Sequence, residues 1–425
     1  MGEVIALDRT MSNAKSGTLA PWAGKLREAA GAVFAVRGLP TRRVEAWRYS
    51  DLSRALGENA PEATETPALL ALPDVFLARF EDGILDEGAS VLPPGVTAFR
   101  AVLTDPNSPF AAEIGNINNQ EGHAILALNT AHAEDGLVLH LGKGEKLARP
   151  LHLRFSWSAG ATAPAEGRHV RVLVILEEGA SATLVETHAG APGFATVVTE
   201  LRLGEKAALH HVRIEQLGGA ARQSSVTTGT LAASASYRSF YLSTGAHFAR
   251  HEALLALEGP GADAQIDGAY LAADSRHCDN TTVIAHKAPD TTSRQTFRGV
   301  LSGRARGVYQ GCVKVAQEAQ RTDARQMSRA LLLSRKAEIA TKPELEIFAD
   351  DVKCSHGATA GEIDAAALFF LRARGIPEVE ARALLVEAYL SEAVAALDDE
   401  ALRAVAIAAI QQWLSAHAGE VTHVE

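Results

Sequence analysis

Val197-Val198-Thr199-Glu200-Leu201-Arg202-Leu203 places apolar groups at Val197, Leu201 and Leu203, with charge at Glu200 and Arg202 between them. A beat of two sets such groups on one face of a strand. Val170, Val172 and Val174 keep the same beat, as do His210, Val212 and Ile214. Turn chemistry breaks the runs at short, even intervals: Glu178-Gly179, Ala191-Pro192-Gly193, Gly204-Glu205, Gly218-Gly219 and Gly259-Pro260-Gly261. From Leu151 to Ile347 no segment of helical length and period intervenes. Evenly spaced short strands imply a sandwich, a barrel or a solenoid. Small residues crowd Ser224–Ala235 and Gly299–Gly311, which suits stacked coils with tight corners, so a β-solenoid with irregular rungs is the reading preferred.

Outward from this core, the texture divides the chain into 1–150, a helical and mixed region, 151–352, the solenoid, and 353–425, a helical domain. Before the solenoid, Thr18 to Leu56 reads as helical with Leu26, Ala29, Ala30 and Val33 on one face. Residues 1–17 read as frayed, Glu58 to Pro67 as a linker, and a short helix is expected around Ile125 to Ala133. After it, Thr359-Ala360-Gly361-Glu362 has the form of a capping box ahead of Ile363, Ala366, Ala367, Phe370 and Leu371. Arg372 and Arg374 suit the last turn and Gly375 the stop. Pro377 opens a second helix, with Ala381, Leu384, Leu385, Ala388 and Tyr389 as its apolar face. A third helix carries Leu402, Val405, Ala406, Ala409, Ile410 and Trp413.

The chain has 425 residues, a formal net charge of −10 and three cysteines. An acidic balance argues against nucleic-acid and anionic-membrane partners. The longest apolar stretches fall short of the ~18–20 residues of a membrane span. No signal-peptide pattern opens the chain, and an odd cysteine count suits a reducing compartment, so a cytoplasmic protein is expected. Gly136 to Lys143 lacks the P-loop spacing, no GxGxxG follows a strand, Gly299 to Gly303 is no nucleophile elbow, and His251-Glu252 lacks the second histidine of a zincin. Nucleotide energy, if used, comes from a partner.

Cys278, Cys312 and Cys354 form no CxxC, which argues against a closed zinc site or a self-sufficient cluster. Cys312 and Cys278 read first as small buried hydrophobes. Cys354 differs because His356 follows at i+2, on the same side of an extended segment. Sulfur and imidazole are good ligands for zinc, iron or a cluster edge. Two ligands do not complete a tetrahedral site, and His356 as a plain turn or cap residue stays open beside the ligand reading. His210, His211, His247, His251 and His286 are scattered through the strands without a ligand pattern. Asp263 and Asp267, flanking Gln265, form an acidic strand face that a carbohydrate-active solenoid enzyme would need. A purely structural binding subunit is the third reading.

Longer stretches carry a resemblance. Gly307-Val308-Tyr309-Gln310-Gly311, Ala319 to Gln326, Leu331-Leu332-Leu333-Ser334 and above all Lys342 to Thr359 are similar to the SufB/SufD family of iron–sulfur cluster assembly proteins. Pro40 to Ser50, Leu128-Asn129-Thr130-Ala131 and Arg374-Gly375-Ile376-Pro377 resemble it too. Ser355-His356-Gly357 stands where SufB-type members carry Glu-His-Glu, so the resemblance is to the SufD branch. It implies a mainly β fold with α: a right-handed parallel β-helix flanked by an N-terminal helical region and a C-terminal helical domain. It implies a non-enzymatic subunit of a complex with a SufB-like paralogue and a SufC-like ATPase, the ATPase docking on the C-terminal helices, with Arg374, Gly375, Pro377 and Tyr389 as candidate contacts. His356, with Cys354 close by, would face the paralogue. No cofactor would be held tightly by the chain alone; iron or a nascent cluster would be handled in the complex, and a flavin is left open. Exposed solenoid edges suit a homodimer when the partner is absent.

Overall fold

A computed structural model describes residues 18–58, 71–118 and 122–417. The expected frayed start, and the linker beyond Glu58, lie outside the described residues.

Two parallel sheets form the body. The first orders Phe76–Glu81, Leu151–Trp157, Ser181–Gly190, Ala208–Leu217, Ser236–Ser243, Asp263–Ala272, Thr292–Leu301, Asp323–Leu332 and Lys353–Gly361 side by side. The second orders Asp135–Leu141, Arg168–Leu176, Ala195–Leu203, Arg222–Leu231, Phe248–Leu257, His277–His286, Arg306–Val315 and Glu338–Ile347. Successive strands alternate between the sheets, so each coil adds one rung to each: the chain is a parallel β-helix. The short strands Ile84–Leu85 and Val96–Ala98 close the starting end by antiparallel pairing, which leaves no parallel edge open there.

The sheets run past both limits read from the texture, starting at Phe76 and ending at Gly361. The first rungs, Phe76–Glu81 and Asp135–Leu141, are separated by a long excursion that hides their periodicity. At the far end, pairing with the preceding coil continues to Leu331↔Gly361. That ladder claims Thr359, Ala360 and Gly361 as strand, so the capping box does not form. The helix starts instead at Ala365, where the Asp364 carboxylate accepts the N–H groups of Ala366 (2.7 Å) and Ala367 (3.3 Å).

Inside the coils, Leu151, Leu153, Phe155, Val170, Val172, Val174, Val197, Leu201 and Leu203 pack into one apolar column. In His210–Ile214 the alternation has the opposite sense. Val212 and Ile214 point outward, against Val386, Leu390 and Trp413 of the closing helices. Their neighbours therefore fill the interior with polar groups. Arg213 bridges Glu186 (2.7 Å) and Glu215 (3.7 Å), His211 Nε2–H donates to Glu186 (2.8 Å), and Tyr241 O–H donates to Glu215 (2.7 Å). Buried charge of this kind persists only when paired and hydrogen-bonded. Gly190 shows how tight the coils are: φ is 108°, and a Cβ there would lie 1.9 Å from the Trp157 carbonyl oxygen.

N-terminal elements cover the second sheet. Helix Pro21–Arg37 ends at Gly38 (φ 66°), so the single helix expected to Leu56 is instead one helix followed by short turns and Leu52–Gly57. Ala29 and Val33 are exposed, because the helix buries Ala23 against the excursion and not the expected stripe. Helix Ala124–His132 matches the expected short helix, and its Asn129 and Thr130 serve structure: Asn129 donates to the Val170 carbonyl (3.0 Å) and Thr130 Oγ1 accepts from the buried Arg171 (2.9 Å). Trp47 stacks on Phe248 and lies under Arg250, which reaches the Ala46 carbonyl (2.8 Å) and pairs with Asp279. Of the closing helices Ala365–Arg372, Glu378–Val394 and Glu400–Ala416, the last two cover the first sheet, and the first, with no buried residue, stands off it.

Candidate functional site

The starting end of the solenoid is capped, and the finishing end is not. Lys353–Gly361 and Glu338–Ile347 are the last strands of their sheets, and among the described residues each pairs on one side only. Their free edges present rows of backbone N–H and C=O groups. Pro343, whose nitrogen carries no proton, and the charged Lys342, Glu344 and Glu346 blunt the second edge against indiscriminate pairing.

Cys354 and His356 lie within the last strand, not in a segment after it. The register sets Cys354 beside Ala324 and His356 beside Gln326, both interior positions of the preceding coil. Both side chains therefore stand on the inner side of the last rung, at the open mouth. Cys354 is half-buried against Val313, Val315, Ala319, Ala324 and Ala349. Burial, with the Asp323 carboxylate adding to it, pushes its thiol above the ordinary range, so the sulfur is protonated at neutral pH. His356 is exposed. The Gln326 amide below it is buried with neither polar atom bonded among the described residues.

The other cysteines sit elsewhere. Cys278 is fully buried in the interior, its thiol pushed well up by burial, 3.8 Å from the Asn280 amide. Cys312 points outward, its sulfur 3.7 Å from Glu346, and burial with that carboxylate raises it to about 11. Of the scattered histidines, His286 lies between Thr291 and Ser293 (2.8 and 2.9 Å), His247 meets Glu58 (3.2 Å) and His211 bonds Glu186, while His251 stacks on the Tyr241 ring. Among the described residues no group of three or more His, Cys, Asp or Glu side chains is arranged to hold a metal ion. The acidic face of Asp263 and Asp267 is taken up by Thr292 and by Gln265, whose amide donates to Asp267 (2.6 Å).

On the closing helices, Arg374, Gly375 and Pro377 form an exposed corner. Gly375 takes φ 84°, and the Arg374 guanidinium lies 3.3 Å over the Phe370 ring. Tyr389 does not join them. It packs inward, with Arg298 over its ring at 5.0 Å. The buried face of Glu378–Val394 is Ala381, Val386, Leu390, Ala393 and Val394, rotated from the expected stripe, so Leu384 and Ala388 are exposed. Phe369, Phe370, Val379 and Leu384 make an apolar surface around the corner, 73%, 55%, 51% and 44% exposed. Sequence reading missed this surface because it assigned Phe370 and Leu384 to the core. Phe369 and Phe370, adjacent on a short helix, could not both have faced inward.

Comparison with known proteins bears on this geometry. Residues 159–389 match the model of the SUF system FeS cluster assembly SufBD core domain. The chain belongs to the SufBD family. It is 30% identical over 395 residues to the iron–sulfur cluster assembly protein SufD of Escherichia coli K12, covering 89% of this chain and 90% of that one. An iron–sulfur cluster assembly SufBD family protein of Synechocystis is 29% identical over 86% of this chain and 85% of its own. A chloroplastic protein of Arabidopsis thaliana is 28% identical over 89% of this chain and 83% of its own. The family resemblance read from Lys342 to Thr359, its SufD-like character and the β-helix are thereby established. No helix among the described residues is long and apolar enough to cross a membrane.

Proposed function

We propose that this SUF-system assembly protein acts as a non-catalytic subunit, presenting the open end of its solenoid to a SufB-like paralogue and its closing helices to a SufC-like ATPase. The observation that carries the reading is the unpaired last coil, with His356 exposed and Cys354 half-buried on its inner side. A paralogue continuing both sheets would satisfy the free edges and bring its own ligands up to this imidazole and thiol. Iron and sulfide would then be cargo assembled between two chains. The exposed apolar side chains of Phe369, Phe370, Val379 and Leu384, on the two helices that meet at Arg374, Gly375 and Pro377, support ATPase docking, because large apolar groups left in water at one corner suit a protein contact. In isolation the same free edges support pairing of two copies. Cytoplasmic placement is part of the proposal.

Reconstitution with the two partners tests it. His356→Ala should leave both partners co-purifying and abolish iron–sulfide accumulation on the complex. Full accumulation by that variant would reduce the chain to a structural binding subunit. Phe370→Asp with Leu384→Asp should release the ATPase while the paralogue stays bound.

A further inference from the structure

Apart from Cys354 and His356, a hollow of about 400 Å³ opens at the seam between segment 39–58 and the second sheet. Its floor is a ladder: Phe248, His277, Arg306 and Glu338 stand side by side at the starts of four successive strands. The turns before those strands add Arg304 and Lys336, and Arg42, Tyr49 and Arg54 approach from the N-terminal segment. Five cationic side chains and three carboxylates line it, on a chain whose net charge is −10.

The carboxylates do not neutralise the arginines evenly. Asp51 caps a helix by accepting the Arg54 N–H (2.9 Å), and Glu58 holds the Arg54 guanidinium (2.6 Å) and His247 (3.2 Å). Among the described residues Arg42 and Arg304 are exposed without a carboxylate partner, and the Nε of Arg306 is buried without an acceptor. His277, bonded to Ser50 Oγ (2.7 Å), is pushed down to about 3 by burial first, and then by the positive charge of Arg306, Arg250 and Arg42. Among the described residues, positive charge without a paired carboxylate therefore converges on this hollow from two separate segments, Arg42 on one side and Arg304 with Arg306 on the other.

We infer that the hollow binds a small molecule bearing a diphosphate. Guanidinium forks match phosphoryl oxygens bidentately, and those of Arg42, Arg304 and Arg306 together supply donors enough for two linked phosphoryl groups. The volume lies at the small end of ligand sites, and the Tyr49 ring offers a wall for an attached apolar group. A long polyanion is disfavoured by the acidic remainder of the chain. The inference is independent of the partner assignments above.

Calorimetric titration of the full chain with pyrophosphate and, separately, with ADP tests it. Saturable one-site binding is expected, weakened at least about tenfold by Arg42→Gln with Arg304→Gln and unchanged by Arg325→Gln, on an exposed pair elsewhere. Tighter binding of ADP would identify the source as a nucleotide, and equal binding a free diphosphate. No saturable binding of either at millimolar concentration would overturn the inference, as would unchanged affinity in the double variant. Arg304→Gln alone, on an exposed turn, keeps the test valid should the pair disturb folding.

Discussion

His169 offers a measurable link between one buried ring and the acid stability of the whole β-helix. The ring is sealed between Thr196 and Pro164: its Nε2–H donates to the Pro164 carbonyl (2.8 Å), so Nδ1 accepts from the Thr196 hydroxyl (2.8 Å). Thr196 Oγ1 already accepts from Asn129 (2.9 Å). A proton on Nδ1 would face that hydroxyl and strand a charge in the core. Burial therefore lowers the His169 pKa from 6.5 to about 3. A folded pKa below the unfolded one means stability fully present above pH 6.5 and lost as pH falls toward 3. By linkage, His169 alone removes about 2 kcal/mol between pH 7.5 and pH 5.0. His152 and His286, lowered to about 4, and His277, to about 3, act in the same direction. Buried Asp135, Glu200 and Asp279, raised by desolvation, act against them as pH falls. A single-residue difference isolates the effect. His169→Gln can keep one donor and one acceptor without titrating. Urea unfolding of both proteins at pH 7.5, 6.5, 5.5 and 5.0 should show the variant losing about 2 kcal/mol less than wild type over that range. Parallel profiles would refute the buried neutral ring.

Three further outcomes follow from the packing. Arg250→Ala leaves the buried carboxylates of Asp279 and Glu252 without their shared cation; denaturant unfolding should show a loss of about 3–5 kcal/mol, and proteolysis should first cut the segment that Trp47 anchors. Gly190→Ala drives a Cβ against the Trp157 carbonyl at a positive φ, and thermal unfolding should register a cost of about 3 kcal/mol. Native alkylation near pH 8 should label Cys354 before Cys312 and spare Cys278 until the chain unfolds, following burial and the upward shifts of all three thiols; early labelling of Cys278 would contradict its place in the interior.

The alternation in Val170–Val174 and Val197–Leu203 was enough to define strands, because a period of two has one structural meaning. It did not say which face turns inward. In Val170–Val174 the apolar side is the lumen, whereas in His210–Ile214 it is the outer face, covered by the closing helices. The interior ion pairs of Glu186, Arg213 and Glu215 were missed for that reason. Their signal, charge at every second position within buried strands, was legible only as a solvated face. The Cys354 and His356 pair could be read from spacing alone; its place on an open rung could not, since Thr359-Ala360-Gly361-Glu362 satisfies a local capping rule that the ladder overrides. The exposed apolar corner was lost to the same locality: helical periodicity finds a stripe but not what covers it.

Sequence by itself determined the strand-rich middle, the three closing helices and the family, because side-chain alternation, turn residues and long motifs are properties of neighbouring positions. Tertiary structure alone decided which faces are interior, where the last rung ends and which arginines meet at one hollow. Those outcomes depend on coils far apart in the chain stacking in register, and the hydrogen bonds and buried charges that fix that register exist only once they do.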